Sequence, residues 1–356
     1  MDVQGAKRHS RDMSPPTPTP GNQTCAGTLL VDLGGTNVRF ASCDPTATTP
    51  LQAGSLRRYR VADYPSLEAA TRQYLDDSGA QPQSMLVAAA GRVSAEQTVR
   101  ITNHAWTIDA HALQRGLALQ SVRLVNDFAA QSMAPTLLAR DELLALDGHA
   151  LPTPGARDTQ TFAVIGPGTG LGIGALLVRK GRPETLETEG GHSGFAPGTQ
   201  TEVQLLQHLA RRHGRVSNER VLCGSGLVNV YTTLCAIAGM AAEPLQPEDV
   251  TARANAGSDP CCVRAVETMV GIFGSVTGDL VLSLGAWDGV YLTGGMLPVL
   301  LPWLQRGGFV TRFEAKGRFA DVVRKVPIAA MTAAEPGLLG VAAIARQDDG
   351  HQAPGP

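Results

Sequence analysis

The sequence predicts an α/β fold in which central strands are covered by helices on both faces. Short apolar runs alternate with amphipathic segments, and each run has the length of a buried strand. Two glycine-rich segments depart from this alternation, because each joins two strand-like runs as a hairpin. At 356 residues, the chain is long enough for two domains. The apolar runs are TLLVDLGG (28–35), SMLVAAAG (84–91), VRLVND (122–127), TFAVIGPG (161–168), GVYLTGG (289–295) and VPIAAM (326–331).

Amphipathic segments between these runs predict helices. In PSLEAATRQYLDD, Ser66 is placed to cap the helix, Glu68 lies in the first turn, and Leu67, Ala70 and Tyr74 share one face. Apolar residues also recur at helical spacing at Val203, Leu206 and Leu209, and from about Cys262 to Leu284 at Val263, Val266, Val270, Phe273, Thr277, Leu280 and Leu284. Such stripes are typical of faces that pack into a core.

Composition excludes several classes of protein. Hydrophobic residues make up 43% and charged residues 17%, which suits a globular core, and the net charge of -2 provides no basic surface for nucleic acid. The most apolar stretch, 263–284, contains Arg264, Glu267 and Asp279, so we expect no membrane span. The N-terminal MDVQGAKRHSRDM has no secretory apolar segment, which predicts a cytoplasmic protein. The six cysteines form no C-x-x-C pair, and we expect buried thiols.

The two ends of the chain differ from the rest in composition. Residues 1–26 contain SPPTPTPGNQ, and the residues from 348 onward read DDGHQAPGP. Segments rich in proline, threonine and glycine that lack apolar periodicity predict disorder. We therefore expect a disordered N-terminal extension at 1–26 and a disordered tail at 348–356.

The two glycine-rich hairpins, VDLGGTNVRF and GPGTGLGIGALLV, predict a phosphate-binding cleft. Glycine turns expose backbone N–H groups, and such concavities bind anions. Neither segment has the lysine of a P-loop, and the spacing of glycines at 166–174 does not match the dinucleotide-binding fingerprint, which disfavours an oxidoreductase. Either segment alone is also explained by a tight β-turn. Two such hairpins together favour a nucleotide site.

The combined pattern LLVDLGGTNVRF, ITNHAW, VNDF, GPGTGLGIG, ETEGGHSGFAP, NERVLCGSGLVNVY, VYLTGGMLP, KGRF and PGLLG resembles the bacterial glucokinase family over about 28–347. The resemblance implies a two-lobed actin-like ATPase (ribonuclease H-like) fold with a cleft between the lobes. The smaller lobe would span 27–137 and include a C-terminal helix at about 336–347, and the larger lobe would span 138–335. Family members are usually cytoplasmic homodimers that phosphorylate the 6-hydroxyl of D-glucose with Mg–ATP.

The resemblance also implies roles for individual residues around the nucleotide. Asp32 would place Mg²⁺, directly or through water. Both hairpins would approach the phosphates, and the two glycines that end the fifth apolar run would lie against the adenosine. The implied nucleotide positions are Asp32, Gly34, Gly35, Thr36, Asn37, Gly168, Thr169, Gly170, Gly294 and Gly295.

The sugar end of the site is predicted at the end of the strand VRLVND. Ligands gather at the carboxyl ends of strands in open α/β sheets, and Asp127 there could accept a proton from a sugar hydroxyl. The dipeptide alone favours a simple helix cap at Asp127; together with the hairpins and the family resemblance it favours a general base. Carboxylates, amides and imidazoles suit a ring of hydroxyls. The resemblance assigns Asn126, Asp127, Glu189, His192, Glu219 and Asn103 to the sugar.

One segment departs from the family pattern, and several alternatives share the fold. Relatives often have a proline where Gly91–Arg92 stands in this chain, which leaves that turn open. Another actin-like kinase or ATPase with a different acceptor would not need the sugar-facing cluster. The zinc-containing branch of sugar kinases carries clustered cysteines after a histidine, a pattern that this sequence lacks. A DNA-binding regulator needs a helix-turn-helix, which residues 1–26 cannot form.

Overall fold

A computed structural model describes residues 27–352, apart from positions 48, 53 and 103, with side chains described to residue 348. The strands are β1 (Thr28–Leu33), β2 (Asn37–Cys43), β3 (Arg57–Arg60), β4 (Ser84–Ala89), β5 (Thr98–Arg100), β6 (Thr107–Asp109), β7 (Ser121–Asn126), β8 (Leu143–Ala145), β9 (Thr159–Pro167), β10 (Leu171–Arg179), β11 (Arg182–Glu187), β12 (Gly289–Leu292) and β13 (Ile328–Met331). The helices are α1 (Leu67–Ser78), α2 (Ala110–Gly116), α3 (Asp127–Met133), α4 (Gln200–His213), α5 (Gly224–Ile237), α6 (Pro247–Ala256), α7 (Pro260–Leu284), α8 (Leu297–Leu304), α9 (Gly308–Glu314), α10 (Ala320–Val323) and α11 (Pro336–Gln352). The predicted N-terminal extension at 1–26 lies outside the described residues.

Two large sheets organise the described chain, and β5 and β6 form a separate two-stranded sheet. The first has the order β3–β2–β1–β4–β7 and the second the order β11–β10–β9–β12–β13–β8. In each sheet an antiparallel hairpin, β1–β2 or β9–β10, stands beside parallel strands. The six apolar runs are β1, β4, β7, β9, β12 and β13, so all six predicted strands are confirmed. The second strand of each predicted glycine hairpin is also confirmed.

Three apolar layers hold the sheets. One covers the outer face of the first sheet beneath α1 and α2, and another covers the second sheet beneath α4 to α9. The third layer lies between the sheets and includes Phe128 and Met133 of α3 together with Leu338 and Val341 of α11. The helix α3 therefore packs between the two sheets, with its N-terminus at the predicted site.

The helix α1 forms as predicted. Ser66 Oγ accepts a hydrogen bond from the backbone N–H of Ala69, so Ser66 is the cap that the sequence indicated. The predicted face of the helix is buried, with its members Leu67, Ala70 and Tyr74.

The buried face of α4 differs from the prediction. Leu209 is buried as predicted, but Val203 and Leu206 are only half-buried, and Glu202 and Leu205 are buried in their place. Glu202 is buried because Arg312 of α9 donates to both of its carboxylate oxygens, at 2.6 and 3.0 Å. A charge-assisted pair of this kind satisfies a buried carboxylate. This is a tertiary effect that apolar spacing within one helix does not contain.

The long helix α7 is a core helix. It begins at Pro260, after the cap Asp259, and its predicted face is buried at Val266, Val270, Phe273 and Thr277. By length and composition alone the helix is apolar enough to cross a membrane, so the expectation that its charges exclude this was too strict. In the structure, however, 61% of the apolar 18-residue segment of this helix is buried inside the protein.

The last helix returns to the first sheet. α11 packs against α3 and β1 after the chain has completed the second sheet. It continues to Gln352, past the predicted helix end at 347, so part of the predicted tail is helical. A Cβ on Gly340 would overlap the carbonyl of Ala130, which shows how closely α11 approaches α3.

The cysteines within the described residues are buried free thiols, as expected. They are Cys43, Cys223, Cys235, Cys261 and Cys262, and Cys25 lies outside the described part of the chain.

Candidate active site

The carboxyl ends of parallel strands bring the predicted residues to one edge. In the first sheet, the register pairs Leu33 of β1 with Ala89 of β4 and Ala89 with Asn126 of β7. Asp32 and Asp127 therefore lie at the same edge, with one strand between them. In the second sheet, β9 and β12 are parallel, so their following turns also share an edge.

The helix α3 connects the two edges. Gln131 Oε1 accepts a hydrogen bond of 3.1 Å from the Oγ1 of Thr293, which directly follows β12. The helix that begins beside the predicted base is thereby tied to the turn that carries the predicted adenosine glycines.

Asp32 is a buried carboxylate held by an arginine. Its Oδ2 accepts a hydrogen bond of 3.0 Å from Arg39, whose Nε lies 2.8 Å from Glu335. Burial raises the pKa of the Asp32 carboxyl, the guanidinium of Arg39 opposes this rise, and the charge of Glu335 adds to it. The start of α11 also meets this carboxylate, since a Cβ on Gly337 would lie 2.6 Å from Asp32 Oδ2.

The turn after β1 is compact and open on its outer side. The N–H of Gly34 donates to the carbonyl of Asn37 at 3.0 Å, and Gly35 and Thr36 form the bend between them. A Cβ on Gly34 would meet only Asn37 O, at 3.7 Å, which is an ordinary contact. The protein's own packing therefore does not require glycine at this position, and a close-lying ligand would supply the reason.

The turn after β9 lies against two other elements of the second sheet's edge. The Gly168 N–H donates to Gly170 O at 2.8 Å, and the Gly168 carbonyl accepts from Gly224 N at the start of α5, at 2.9 Å. Thr169 is exposed at the tip. A Cβ on Gly168 would lie 3.6 Å from the N atom of Gly295, so the turn after β9 and the turn after β12 face each other.

The glycines at alternate positions 166–174 each accommodate a different neighbour. A Cβ on Gly166 would meet Thr293 at 2.8 Å, and one on Gly170 would meet Glu219 Oε2 at 2.6 Å. The next two glycines accommodate α3: a Cβ on Gly172 would overlap the ring of Phe128, and one on Gly174 would meet Ser132 Oγ at 2.6 Å. The run therefore serves helix packing as well as the predicted phosphate site, a role that sequence reasoning missed.

Asn126, not Asp127, caps α3. Asn126 Oδ1 accepts from the N–H groups of Phe128 and Ala129, both at 2.9 Å. Its Nδ2 donates to the carbonyl of Gly91 at 3.1 Å. One amide hydrogen of Asn126 thus remains for a ligand. Asn126 is therefore the N-cap of α3, whereas Asp127 is the first residue of the helix and accepts a hydrogen bond from the Phe128 N–H at 2.8 Å.

Asp127 has an unusual electrostatic setting. Burial raises the pKa of its carboxyl from 3.8 to about 6, the charges of Asp32 and Glu189 add to the rise, and the Phe128 N–H bonded to Oδ1 opposes it. A carboxyl with a pKa near 6 is ionised at neutral pH yet basic enough to take a proton from a hydroxyl in the transition state. The structure places this group at the end of β7 and the start of α3, within electrostatic reach of Asp32 and Glu189.

Glu189, His192 and Glu219 form one cluster. Nε2 of His192 lies 4.0 Å from Glu189 Oε2, and Nδ1 lies 4.0 Å from Glu219 Oε1. Glu219 Oε2 accepts from the N–H of Leu171 at 2.9 Å, which ties the cluster to the glycine hairpin. The two carboxylates are hydrogen-bond acceptors, and the imidazole between them can both donate and accept. The charge of Glu189 contributes to the raised pKa of Asp127, so the cluster lies within electrostatic reach of that carboxyl.

The two glycines after β12 differ in what they do. Gly294 adopts a φ of +95°, and a Cβ there would lie 2.5 Å from Pro167 O. The fold itself therefore requires glycine at this position. A Cβ on Gly295 would meet nothing within 4 Å. Gly295 resembles Gly34 in that the protein alone gives no reason for glycine.

The turn that departs from the family pattern contacts the site. Gly91 adopts a φ of +148°, a Cβ there would lie 2.6 Å from Arg100 O, and its carbonyl accepts from Asn126. The turn thus supports Asn126 through its backbone. Asn103, the remaining predicted sugar residue, lies outside the described residues.

The donor set at this edge fits a hard cation bound with a nucleotide. Within the described residues no three His, Cys, Asp or Glu side chains form a metal cage. Mg²⁺ commonly uses one or two carboxylates and completes its coordination with phosphates and water. Asp32 is such a carboxylate, and the electrostatic effect of its charge on Asp127 indicates an excess of negative potential.

Arg39 and Phe128 are site residues that the sequence analysis did not single out. Arg39 lies opposite Asp32 in the register of the β1–β2 hairpin. Pairing the two strands outward from the glycine turn would have brought these positions together. No comparable signal exists for Phe128, because its partner Gly172 is distant in sequence.

Comparisons with known proteins agree on one family. A family model described as glucokinase matches residues 29–348. A glucokinase of Stenotrophomonas maltophilia (strain R551-3) is 48% identical over 327 residues, covering 92% of this chain and 97% of the relative. A glucokinase of Xanthomonas euvesicatoria pv. vesicatoria is 47% identical over 328 residues, covering 91% and 97%. The crystal structure of a glucokinase from an Antarctic psychrotroph superposes with a TM-score of 0.78 at 30% identity, covering 90% and 99%. The predicted actin-like ATPase fold is thereby confirmed.

Proposed function

The chain belongs to the glucokinase family and is an ATP-dependent hexose kinase that phosphorylates D-glucose, and we propose that Asp127 is the general base of this reaction. The observation that carries the proposal is the position of Asp127 at the first turn of α3, with a pKa raised to about 6 and with its capping role taken by Asn126. The Asp127 carboxylate would accept the proton of the glucose 6-hydroxyl as that hydroxyl oxygen bonds to the terminal phosphorus of ATP. The bond between this phosphorus and the bridging oxygen breaks at the same time, and ADP leaves. Phosphoryl transfer asks little more of the protein than such alignment and charge stabilisation.

The sugar would be held by the cluster beside this base. Asn126 has one amide hydrogen without a partner among the described residues. The ring nitrogens of His192 each lie 4.0 Å from a carboxylate oxygen, one of Glu189 and the other of Glu219. These groups can pair with hydroxyls that each donate and accept. Such groups can discriminate among sugars, because a sugar lacking the matching hydroxyl leaves its polar partner in the site unpaired. Asn103 belongs to the same proposal from the family resemblance.

The nucleotide would occupy the space between the facing turns. Backbone N–H groups at 34–37 and 168–170 would approach the phosphates, and Gly294 and Gly295 would lie along the adenosine. The support is that Gly34, Gly168 and Gly295 have no close internal contact that demands glycine. Asp32 would hold Mg²⁺ directly or through water, and the ion would neutralise phosphate charge. Arg39 keeps the Asp32 carboxylate in place.

The two sheets define the lobes in this proposal. The smaller lobe comprises 27–137 with α11, the larger lobe comprises 138–335, and α3 lies at their junction. Closure of the lobes around both substrates would exclude water that otherwise competes for the phosphate. A cytoplasmic location and a homodimeric assembly are further parts of the proposal that rest on the family resemblance.

A coupled assay of ADP release tests the proposal. We expect release that depends on both D-glucose and Mg–ATP, and Asp127→Ala should reduce kcat by at least about 10²-fold because general-base catalysis contributes roughly 10²–10⁴-fold. Asp109→Ala is the matched control, since it removes an aspartate that caps α2 away from the site. Folded wild-type protein without glucose-dependent ADP release would reject the activity. Near-normal turnover of Asp127→Ala would reject the base assignment.

A further inference from the structure

Two short loops carry the predicted sugar ligands, and a small hydrogen-bonded connection joins them. The first is the 3-10 turn Gly190–His192, preceded by Glu189, and the second is the 3-10 turn Asn218–Arg220, which contains Glu219. The loops are distant in sequence and belong to different connections. The separation between His192 and Glu219 therefore depends on whatever holds one loop against the other.

Backbone bonds provide part of this connection. Gly194 and Ser217 form an isolated antiparallel bridge. The N–H of Asn218 donates to the Ser193 carbonyl at 2.9 Å, and the N–H of Phe195 donates to the Val216 carbonyl at 3.1 Å. These backbone bonds align the two segments of chain. The turn that precedes Ser193 is contacted by a side chain of the second segment, since the guanidinium of Arg215 donates to the carbonyl of His192 at 2.7 Å.

A side-chain relay reaches that turn. Asn218 Nδ2 lies 2.9 Å from Ser193 Oγ, and Ser193 Oγ lies 2.7 Å from the carbonyl of Gly190. A carbonyl can only accept, so the single hydroxyl proton of Ser193 is donated to Gly190. Ser193 Oγ must then accept from the Asn218 amide, which fixes the orientation of that amide. Asn218 is 6% exposed, so its amide is held inside the protein.

The two ends of this relay, Gly190 and Asn218, are each adjacent in sequence to a predicted sugar-binding residue. Gly190 directly follows Glu189, and Asn218 directly precedes Glu219. Loss of either hydrogen bond would loosen the 3-10 turn at Gly190 relative to Glu219, while the bond from the Ser193 N–H to the Gly190 carbonyl and the bond from Arg215 to the His192 carbonyl would remain. It would not touch the glycine turns of the nucleotide site, because Glu219 also remains bonded to Leu171 N through its other oxygen.

We propose that Asn218 and Ser193 are positioning residues that set the spacing of the two sugar-binding loops and thereby the affinity for the hexose. The inference rests on the proposed sugar site and extends it to two residues that contribute no ligand of their own in that site. Because both side chains act through one relay, removing either should have the same consequence. Ser193 is exposed, so a threonine fits there and retains the hydroxyl.

Steady-state kinetics of matched variants test the inference. We expect Asn218→Ala and Ser193→Ala each to raise the KM for glucose about five- to tenfold, as for the loss of one net hydrogen bond, with the KM for ATP changed by less than about twofold. The double variant should be no worse than either single variant, since both remove the same relay. Ser193→Thr should resemble the wild type, and Asn218→Asp, which keeps the size but removes the donor, should resemble Asn218→Ala. Calorimetric titration with glucose alone should show the same loss of affinity.

Asn229→Ala is the control for general loosening. Asn229 Nδ2 donates to the carbonyl of Arg220 at 3.0 Å, so it supports the other end of the same 3-10 turn without joining the loops. An equal rise in glucose KM for Asn229→Ala, additive effects of Asn218→Ala and Ser193→Ala, or parallel losses for glucose and ATP would each overturn the inference. A wild-type protein without glucose-dependent turnover would overturn the proposed function as well, whereas an active wild type with unaffected variants would overturn the inference alone.

Discussion

Asp127→Asn should make the protein more stable at neutral pH while abolishing its turnover. The carboxyl of Asp127 has a pKa of about 6 in the folded protein against an ordinary value of 3.8. The folded state therefore binds a proton more tightly than the unfolded chain does. Stability from this group is present below pH 4 and is lost as the pH rises through 6. The asparagine has no charge to desolvate and escapes this loss.

The size of the effect follows from the rise in pKa. A rise of about 2 at about 1.36 kcal/mol for each pKa unit amounts to about 3 kcal/mol above pH 7. Near pH 4 the same relation gives only about 0.5 kcal/mol. The side chain is half-buried and Asn Oδ1 can still accept from the Phe128 N–H, so the substitution leaves the local hydrogen bond in place. The advantage of the variant should thus grow with pH.

Urea unfolding without ligands, monitored at pH 4 and pH 7.5, measures this difference. Asp109→Asn is the matched control, because it changes a helix-capping aspartate that lies away from the cleft and asparagine caps helices equally well. The control should match the wild type at both pH values. The reasoning is refuted when Asp127→Asn is less stable than the wild type at pH 7.5, or when its advantage is the same at the two pH values.

The geometry of the site leads to three further predictions. For the wild type, kcat/KM for glucose should fall about tenfold per pH unit below about pH 6, because only the ionised Asp127 can take the proton; a profile that is flat down to pH 5 would contradict this. Gly172→Ala should reduce kcat severely, because its Cβ would overlap the Phe128 ring, and adding Phe128→Leu should restore part of the lost activity. Kinetics of the single and double variants test this expectation, and an inactive double variant with native stability would contradict it. Gly295→Ala should raise the KM for ATP without changing the melting temperature. Gly294→Ala should raise that KM and also lower the melting temperature, because alanine is strained at a φ of +95°. A fall in melting temperature of the same size in both variants would count against a ligand role for Gly295.

Periodicity within a segment predicted the strands and the principal helices, because burial on a local face is written in neighbouring residues. It misplaced the face of α4, because Glu202 is buried by Arg312 on a helix 110 positions away in the chain. The candidate site shows the same division. The positions of Asp127 and of the glycine turns at strand ends could be predicted from the apolar runs, and their proposed roles needed the family resemblance as well. The contact of Gly172 with Phe128 depends on the packing of α3 against the second sheet, which the sequence does not contain.

The site concentrates negative charge before any substrate arrives. Asp32 and Asp127 stand at one edge with a single strand between them, the charge of Glu189 reaches Asp127, and Arg39 offsets part of the charge on Asp32. Burial with like charges nearby costs stability, and such strain is retained where function uses it. Hydroxyl donors of a sugar and the cation that accompanies ATP are the groups that would relieve it. Ligand binding should therefore stabilise this cleft by more than the new contacts alone provide, and the gain should shrink in Asp127→Asn, which has already lost one of the repelling charges.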